Sequence, residues 1–276
     1  MHVWLILNRA SRAVGDDWEA KLVAAFTARD WTVSGTTDFP NEKLPEIELL
    51  KDVDIVAVAS GDGTINAVVQ HLDDWAGLFL ALPGGTMNLL SKALHGPVGP
   101  EAIIAAIAEP PESRSVPTVE CGPHRSLVRV IIGPGASWVH AREAIRYNRW
   151  ARLRRAVRLA WVRSLSRAIH LRDGSRRSPG YRAVFVHPEA GGLLVIRVRA
   201  AGWTDGVRLG FTYLAGNWET ARGIESARAN GLAFVATRPV FALFDGEPLR
   251  LPPDAVLRAG ETRIRFIATA PSETAR

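Results

Sequence analysis

Two short glycine-containing loops have the composition of a phosphate-binding site. Residues 60–64 read SGDGT, and residues 83–88 read PGGTMN. Each loop follows an apolar run that predicts a buried strand and precedes a run that predicts a helix. Glycine lets a backbone approach a phosphate closely, and the free N–H groups at the start of a helix attract its negative charge. Since such strand ends meet at one edge of an α/β sheet, the pair of loops favours phosphate binding.

Asp62 is the unexpected member of the first loop, because a carboxylate repels phosphate. The residue suits such a site if a divalent cation lies between the two charges, or if the carboxylate orders water or backbone N–H groups. Neither loop has the spacing of the common nucleotide motifs G-x-x-x-x-G-K-[ST] and G-x-G-x-x-G. Each loop taken alone is also compatible with an ordinary turn, whose glycine adopts a positive φ and whose threonine caps the helix.

A third acidic turn, Asp245-Gly246-Glu247, lies between two strand-like runs near the end of the chain. Asp-Gly is a strong signal for a β-hairpin turn, and that is the simpler interpretation of the spacing. The functional alternative is a pair of carboxylates placed as a general base for a hydroxyl nucleophile. Asp245 and Glu247 are therefore candidate catalytic residues.

The first part of the chain alternates between strand-like and helix-like segments. Strands are predicted at residues 3–8, 31–37, 53–60 and 77–83. Helices are predicted at residues 18–30, 42–52, 64–72 and 87–94. This alternation is typical of an α/β layer built on a mainly parallel sheet.

After about residue 115 the pattern changes to short alternating segments bounded by glycine or proline, which predict an antiparallel sheet or β-sandwich. These segments are residues 126–133, 181–187, 191–200, 207–216, 231–238 and 262–269. We therefore expect two domains, residues 1–122 and residues 123–276. The last residues are candidates for a return to the first domain.

Charge is distributed unevenly along the chain. Residues 1–124 carry 8 Lys+Arg and 17 Asp+Glu, a net charge of −9, and the remainder carries 26 and 11, a net charge of +15. Such asymmetry indicates that one domain meets an anionic surface. The single cysteine, Cys121, excludes an internal disulfide, and no run of about 18 uncharged apolar residues predicts a membrane-spanning helix. The expectation is a folded cytoplasmic protein.

A long helical candidate, about residues 137–170, is rich in arginine. Residues 142–177 contain twelve arginines and two acids, and at helical spacing the tryptophans share a stripe that most of the arginines avoid. The simplest interpretation is an amphipathic helix packed on the sandwich with a solvated basic face. The alternatives are a helix lying on an anionic membrane and one that binds nucleic acid. The two glycine loops argue against nucleic acid, so we expect none as the main partner.

Three motifs, in this order, resemble the diacylglycerol kinase catalytic-domain family, which includes bacterial lipid kinases and the sphingosine and ceramide kinases. They are SGDGTIN at 60–66, LPGGTMNLL at 82–90 and FDGEP at 244–248. The resemblance spans most of the chain. It implies an N-terminal three-layer α/β domain similar to NAD kinase and phosphofructokinase, followed by an antiparallel β-sandwich domain. It also implies an ATP-dependent kinase that phosphorylates a lipid hydroxyl, diacylglycerol-like or sphingoid-like.

The resemblance also implies roles for individual residues, with ATP and Mg²⁺ as the ligands. Asp62 is expected to organise the phosphates through ATP-bound Mg²⁺. Glu247, with Asp245 beside it, is expected to take the proton of the lipid hydroxyl. Thr37 (or Thr36) is the nearest match to a threonine that often joins the nucleotide site from the second strand. The other residues expected to bind the nucleotide are Asn8, Gly61, Gly63, Thr64, Asn66, Gly84, Gly85, Thr86 and Asn88.

Some positions depart from the family pattern. Residues 8–12 read NRASR where the family usually has N-P-x-S-G, and Ala67 stands where an acid is common. The motif D-G-x-L-D of some bacterial members is missing from the sequence, so we expect no structural metal of that kind. The expected function is a lipid kinase bound peripherally to an anionic membrane face. The alternatives are a non-catalytic nucleotide- or lipid-binding member and a kinase of a soluble hydroxyl compound. The sequence leaves the oligomeric state undefined, and a dimer is compatible with it.

Overall fold

The chain forms two compact units, each with its own sheets and hydrophobic core. The first consists of Met1–Pro117 together with the segment from Glu261 onwards, and the second is Thr118–Gly260. The computed structural model describes residues 1–9, 17–133, 169–173, 176–177, 180–199 and 224–271.

Helices occur in the first unit, and strands occur in both. The helices are α1 (Trp18–Thr27), α2 (Asp62–His71), α3 (Leu89–His95) and α4 (Pro100–Ala106). The strands are β1 (His2–Leu7), β2 (Thr32–Asp38), β3 (Ile55–Ser60), β4 (Leu78–Pro83), β5 (Ser113–Arg114), β6 (Pro117–Cys121), β7 (His124–Ser126), β8 (Val130–Ile132), β9 (Arg172–Asp173), β10 (Arg176–Arg177), β11 (Ala183–Glu189), β12 (Gly192–Val198), β13 (Ile224–Ala229), β14 (Gly231–Ala233), β15 (Val240–Phe244), β16 (Glu247–Leu251), β17 (Val256–Glu261) and β18 (Arg265–Ile267).

The first unit is built on a six-stranded sheet in the order β2-β1-β3-β4-β18-β5. Strands β2, β1, β3, β4 and β18 run parallel to their neighbours, and the short β5 is antiparallel to β18. Strand β3 is buried along its whole length, as expected of a strand that is covered on both faces. The predicted α/β domain with a mainly parallel sheet is confirmed.

Helical segments cover both faces of this sheet. On one face α1 buries Trp18, Leu22 and Phe26 in a core shared with α4. Phe79 points to the opposite face, because it alternates with core residues along β4. There it packs edge-on against Trp75, which follows α2. This is the expected three-layer arrangement, although the sequence analysis did not predict α4.

The predicted helix at residues 42–52 is wrong. The structure has a short 3-10 turn, Ile47–Leu50, within this range. Pro45 explains the difference, because the residue before a proline is disfavoured in the α region and the proline cannot donate a helical hydrogen bond. The carbonyl oxygen of Pro45 lies 3.2 Å from Nε2 of His71 on α2, so a tertiary contact takes the place of a helical one.

Residues 262–269, which the pattern groups with the antiparallel strands, belong instead to the first sheet. Within them β18 pairs in parallel with β4. Side-chain alternation identifies a strand but not its partner, which explains the wrong grouping. The N–H groups of Thr269 and Ala270 then donate to the carbonyl of Leu94 near the end of α3. The chain thus returns to the first unit after completing the second.

The second unit is a β-sandwich. Strands β13-β12-β11-β8-β15-β16 form a sheet in which every neighbouring pair is antiparallel, and β14-β17-β6-β7 form another. Val119 and Leu257 of the smaller sheet share one hydrophobic core with Val130 and Val184 of the larger. The predicted antiparallel sandwich is therefore confirmed, and Cys121 is buried in its core.

The predicted domain boundary and the observed units differ by a few residues. The boundary expected between residues 122 and 123 falls in the turn of a hairpin, because Cys121 on β6 pairs with His124 on β7. The units instead separate after Pro117. Glycine and proline in this stretch signal the turn itself and not the change of unit.

Two predicted elements fall on residues outside those described. They are the strand at 207–216 and the arginine-rich helix at 137–170, apart from the last two residues of that helix. Ile169 forms a β-bridge with Tyr181, so the prediction of helix is wrong for this residue. Within the described part of the chain, no helix combines the length and the apolar character needed to cross a bilayer.

His95 gives the first unit a pH-dependent stability. Burial, followed by the charge of Arg114, lowers the pKa of His95 from 6.5 to about 4. The unfolded chain therefore takes up a proton before the folded chain does, and stability present above pH 6.5 is lost as the pH falls towards 4. The loss should reach about 3 kcal/mol, since one pKa unit corresponds to 1.36 kcal/mol.

The measurement is the free energy of unfolding of wild type and His95→Gln between pH 7 and 4. Glutamine keeps a hydrogen-bonding group near the Thr269 hydroxyl, which lies 3.1 Å from the His95 ring, but it does not titrate. The variant should lose stability less steeply than wild type. If the unfolding free energies of wild type and variant fell in parallel with pH, His95 would not be the group responsible for the loss of stability. His187→Gln is the matched variant in the second unit, where burial also lowers the histidine pKa to about 4.

Candidate active site

The carboxyl ends of β1, β2, β3 and β4 meet at one edge of the first sheet. Leu7 at the end of β1 pairs with Asp38 on one side and Ala59 on the other, and Ser60 pairs with Pro83. The strand order reverses between β1 and β3, because β2 lies outside β1 while β4 lies outside β3. Ligands of open α/β sheets bind at such a switch point, outside the carboxyl ends of the strands. The residues that follow β1 and β3 therefore frame the candidate site.

The loop after β3 leads directly into α2. Gly61 is the N-cap of this helix and Asp62 is its first residue. The N–H of Ile65 donates to the carbonyl of Gly61, whereas no described side chain caps the helix. The N–H groups of Asp62, Gly63 and Thr64 therefore stay available to a ligand, and the dipole of the helix favours an anion.

The loops after β3 and β4 touch through their backbones. A methyl group on Gly85 would lie 2.4 Å from Cα of Gly61, and one on Gly84 would lie 2.8 Å from the backbone nitrogen of Ser60. None of the glycines in the two loops has a positive φ, so the alternative that they serve turns of positive φ is wrong. Glycine is required at positions 84 and 85 because the backbones of the two segments approach too closely for a side chain.

Asn88 closes the second loop. Its backbone is left-handed, with φ 49° and ψ 46°, a conformation that asparagine tolerates better than most residues. Its Oδ1 accepts a hydrogen bond from the N–H of Gly85 at 2.7 Å, and its Nδ2 donates to the Gly85 carbonyl at 3.2 Å. Since the side chain is used within the loop, it does not cap α3, which Asn88 directly precedes.

Asp62 caps α3 instead. Its Oδ2 accepts from the N–H of Leu89 at 3.1 Å, and its Oδ1 accepts from the N–H of Leu90 at 3.0 Å. Leu89 and Leu90 are the first two residues of α3, and N–H groups in this position have no partner within a helix. The carboxylate that the sequence places in the first loop thus holds the helix that follows the second loop.

Two buried polar atoms mark the switch point. The Oδ1 of Asn8, directly after β1, has no hydrogen-bond partner among the described residues, and neither has the Oγ of Ser60 at the end of β3. The Nδ2 of Asn8 makes one long contact, 3.5 Å, with Oγ1 of Thr64. Buried polar atoms without partners are rare in folded proteins. Their place on the two strands that frame the site indicates that a polar ligand or water belongs there.

Three predicted nucleotide-binding residues differ in how much of each side chain a ligand could reach. Thr37 is 5% exposed, and its hydroxyl accepts a hydrogen bond from Nε1 of Trp4 at 3.0 Å. Asn66, on the second turn of α2, is also 5% exposed. Thr86 is exposed in the second loop. Burial leaves the first two side chains little surface for a ligand, whereas Thr86 remains accessible.

Asp38 is a residue at this edge that the sequence analysis missed. It ends β2, and its carboxylate accepts hydrogen bonds from the N–H of Arg9 at 3.1 Å and from Nδ2 of Asn41 at 2.9 Å. The bond from Asn41, followed by that from Arg9, lowers the pKa of Asp38 below its ordinary value. Asp38 thereby fixes the start of the loop after β1. Its position beside Thr37 at the end of a predicted strand was the available signal.

The described residues fit a nucleotide phosphate better than a magnesium ion. Three free N–H groups at the start of α2, next to a close glycine contact, suit an anion. By contrast, no group of three or more His, Cys, Asp or Glu side chains within the described ranges could hold a metal. Both oxygens of Asp62 already accept backbone hydrogen bonds. Magnesium would therefore be held by the nucleotide phosphates, as is usual for this ion.

In the second unit, Asp245 is an anchoring residue. Asp245 and Gly246 form the two-residue turn between β15 and β16, with φ 49° and 99°, the type I′ geometry that Asp-Gly favours. The Asp245 carboxylate accepts four hydrogen bonds, which fix residues 126–129 against the hairpin. The donors are Oγ of Ser126 at 2.7 Å and the N–H groups of Leu127 at 2.8 Å, Val128 at 3.1 Å and Arg129 at 3.0 Å.

Glu247 has the opposite environment. It is the first residue of β16, and its side chain is exposed. Its carboxylate makes no hydrogen bond or ion pair within the part of the chain that the structure describes. Of the two acids in this turn, Glu247 is therefore the one that is free to accept a proton.

The fold and the first unit's candidate site define a class of protein: an α/β domain with free helix N–H groups at its strand ends, followed in the chain by a β-sandwich. The sequence profile described as the diacylglycerol kinase catalytic domain matches residues 2–119, which contain both glycine loops and all four helices of the described first unit. Over these residues the chain is similar to the diacylglycerol kinase catalytic-domain family, which supports a role as a lipid kinase in general. Among curated proteins, none matches the chain.

Solved structures support the same fold over nearly the whole chain. A crystal structure described as a diacylglycerol kinase from Bacillus anthracis str. Sterne is 16% identical, with a TM-score of 0.65, covering 97% of this chain and 96% of that one. Another, described as a candidate diacylglycerol kinase from the same organism, is 17% identical, with a TM-score of 0.66 and 97% coverage of both chains. At this identity the likeness defines the fold, including the sandwich that the family profile does not reach.

The glycine contact predicts an asymmetric response to substitution. Gly85→Ala should lower the free energy of unfolding by about 2 kcal/mol, because its methyl group would overlap the Gly61 backbone. Gly61→Ala should cost about 1 kcal/mol or less, since a methyl group there lies 3.5 Å from Cα of Gly85, an ordinary contact at an N-cap position. Chemical denaturation of the two variants measures this difference. Equal losses would contradict the close approach of the two loops at Gly85.

Proposed function

We propose that this protein is an ATP-dependent lipid kinase, which transfers the γ-phosphate of ATP to a lipid hydroxyl group. The observation that carries the proposal is the open N-terminus of α2 beside the close glycine contact, at the switch point of the first sheet. Similarity to the diacylglycerol kinase catalytic-domain family supports the kinase assignment. The free carboxylate of Glu247 supports the choice of a hydroxyl acceptor.

The first unit binds the phosphates of ATP. The N–H groups of Asp62, Gly63 and Thr64 donate to the phosphate oxygens, and the absence of side chains at Gly61 and Gly85 leaves the backbone accessible. Mg²⁺ bound to the phosphates would neutralise part of their charge during transfer. Phosphoryl transfer depends mainly on positioning and charge stabilisation, so a rigid array of backbone donors suits this chemistry.

The second unit supplies the base. Glu247 accepts the proton of the lipid hydroxyl. The hydroxyl oxygen of the lipid forms a bond to the γ-phosphorus, and the bond from that phosphorus to the leaving oxygen of ADP breaks. Asp245 supports this role as a positioning residue, because its four hydrogen bonds fix the turn on which Glu247 stands. This assignment separates the two acids of the motif into one reacting group and one anchor.

The acceptor is a lipid presented at an anionic membrane surface. The net charge of +15 on residues 125–276 supports this part of the proposal. Each lysine or arginine near an anionic membrane surface contributes about 1 kcal/mol of attraction. The protein would then act as a peripheral protein on the cytoplasmic side of the membrane. Diacylglycerol-like and sphingoid-like lipids both offer a suitable hydroxyl group.

A transfer assay tests the proposal. The protein is incubated with γ-labelled ATP, Mg²⁺ and a total lipid extract, and the labelled lipid is identified. Label in a lipid, dependent on the protein, is the expected result. ATP binding without label in any lipid would replace the proposal with a non-catalytic member of the family. Label in a water-soluble hydroxyl compound, with none in lipid, would assign a soluble acceptor instead.

Glu247→Gln should separate catalysis from binding. The amide cannot accept the proton, so kcat should fall by about 10²–10⁴-fold, the range for loss of a general base. Calorimetric ATP affinity and the thermal unfolding midpoint should stay at the wild-type values, because the Glu247 side chain is exposed and unpaired with other described residues. Asp254→Asn is the matched control, an exposed acid in the same unit. Undiminished turnover in Glu247→Gln would exclude this base.

A further inference from the structure

We propose that Asp62 is a positioning residue, which sets the second glycine loop against the first and does not bind magnesium. The inference deepens the proposed function and depends on it in one respect, namely that the two loops bind ATP. It departs from the expectation that this carboxylate faces the phosphates and their metal.

Helix α3 needs a cap from outside its own N-cap residue. The residue before this helix, Asn88, has left-handed backbone angles and uses its side chain on Gly85. No side-chain cap for α3 therefore comes from its own N-cap residue. The N–H groups of Leu89 and Leu90 would have no partner without the Asp62 carboxylate, which receives one hydrogen bond from each on separate oxygens.

The Asp62 carboxylate also brings a negative charge to the start of α3. A carboxylate at a helix N-terminus compensates the positive end of the helix dipole. Asp62 does this for α3, so the second loop offers a phosphate little electrostatic attraction. Asp62 is at the same time the first residue of α2, whose own N–H groups are left free. The acid thus accepts the N–H groups of Leu89 and Leu90 at the start of α3 and leaves those at the start of α2 without a hydrogen bond to it.

Asp62 also helps to attach the second loop to the first. The second loop is held against the first at three places: the hydrogen bond from the N–H of Gly84 to the carbonyl of Ser60, the contact between Gly61 and Gly85, and the hydrogen bonds from the start of α3 to the Asp62 carboxylate. Loss of the last of these would release the segment from Gly85 to Asn88 at its far end. The shape of the phosphate-facing surface would change whether or not the phosphates carry a metal ion.

The decisive experiment measures ATP affinity with and without the metal. Wild type, Asp62→Ala and Asp62→Asn are titrated with ATP by calorimetry, once with excess Mg²⁺ and once with EDTA. We expect Asp62→Ala to weaken binding by about tenfold in both conditions, in line with the loss of two charge-assisted hydrogen bonds. Asp62→Asn should fall between, because its amide oxygen can still accept one of the two N–H groups. Asp52→Asn, an exposed acid of the same unit, should match wild type.

A second readout follows α3 directly. Amide hydrogen exchange at Leu89 and Leu90 should be slow in wild type and faster in Asp62→Ala, while exchange in β3 stays unchanged if the variant is folded. This measurement needs no ligand. It therefore tests the positioning contact even if wild type binds no ATP in either condition, a result that would sink the proposed function and leave the contact standing.

Three results would overturn the inference. The first is weaker binding of Mg·ATP by the Asp62 variants together with unchanged or tighter binding of ATP in EDTA, which is the signature of a metal-binding carboxylate. The second is reduced stability with unchanged ATP affinity in both conditions, which would make the contact merely structural. The third is unchanged exchange at Leu89 and Leu90 in Asp62→Ala.

Discussion

The close approach of two backbones, at Gly61 and Gly85, is the constraint on which the candidate site depends. Adjacent parallel strands bring the two loops side by side, since Ser60 at the end of β3 is in register with Pro83 at the end of β4. The loops then have room only for glycine at positions 84 and 85. The need for glycine at these two positions therefore follows from packing at the strand ends and not from a positive φ.

The two loops resemble each other in sequence but have different tasks. The first leads into a helix whose N–H groups are free, and the second leads into a helix that is capped by the acid of the first. The turn in the second unit divides its acids in the same way. Asp245 holds neighbouring backbone through four hydrogen bonds, whereas Glu247 is exposed. In both motifs one carboxylate accepts partly buried hydrogen bonds and thereby fixes neighbouring backbone in place.

Local patterns in the sequence predict much of the fold. Apolar runs identify four of the five parallel strands of the first unit and several of the strands described in the second, and the glycine motifs mark the correct edge of the first sheet. Partnerships across the chain are not encoded locally. The partners of Asp62 lie 27 and 28 residues away, and those of Asp245 lie 116 to 119 residues away. The pattern grouped residues 262–269 with the antiparallel strands for the same reason, although the last residues were candidates for a return to the first domain. Pro45 overrode a helical pattern at 42–52.

The central claim is that phosphate binds to the N-terminus of α2 while the N-terminus of α3 is occupied by Asp62. The most direct test is a backbone amide NMR titration of the protein with ATP in the presence of EDTA. The account predicts that the amide signals of Asp62, Gly63 and Thr64 shift strongly and saturably, while those of Leu89 and Leu90 move little. Shifts at Leu89 and Leu90 that equal or exceed those at the start of α2 would contradict it.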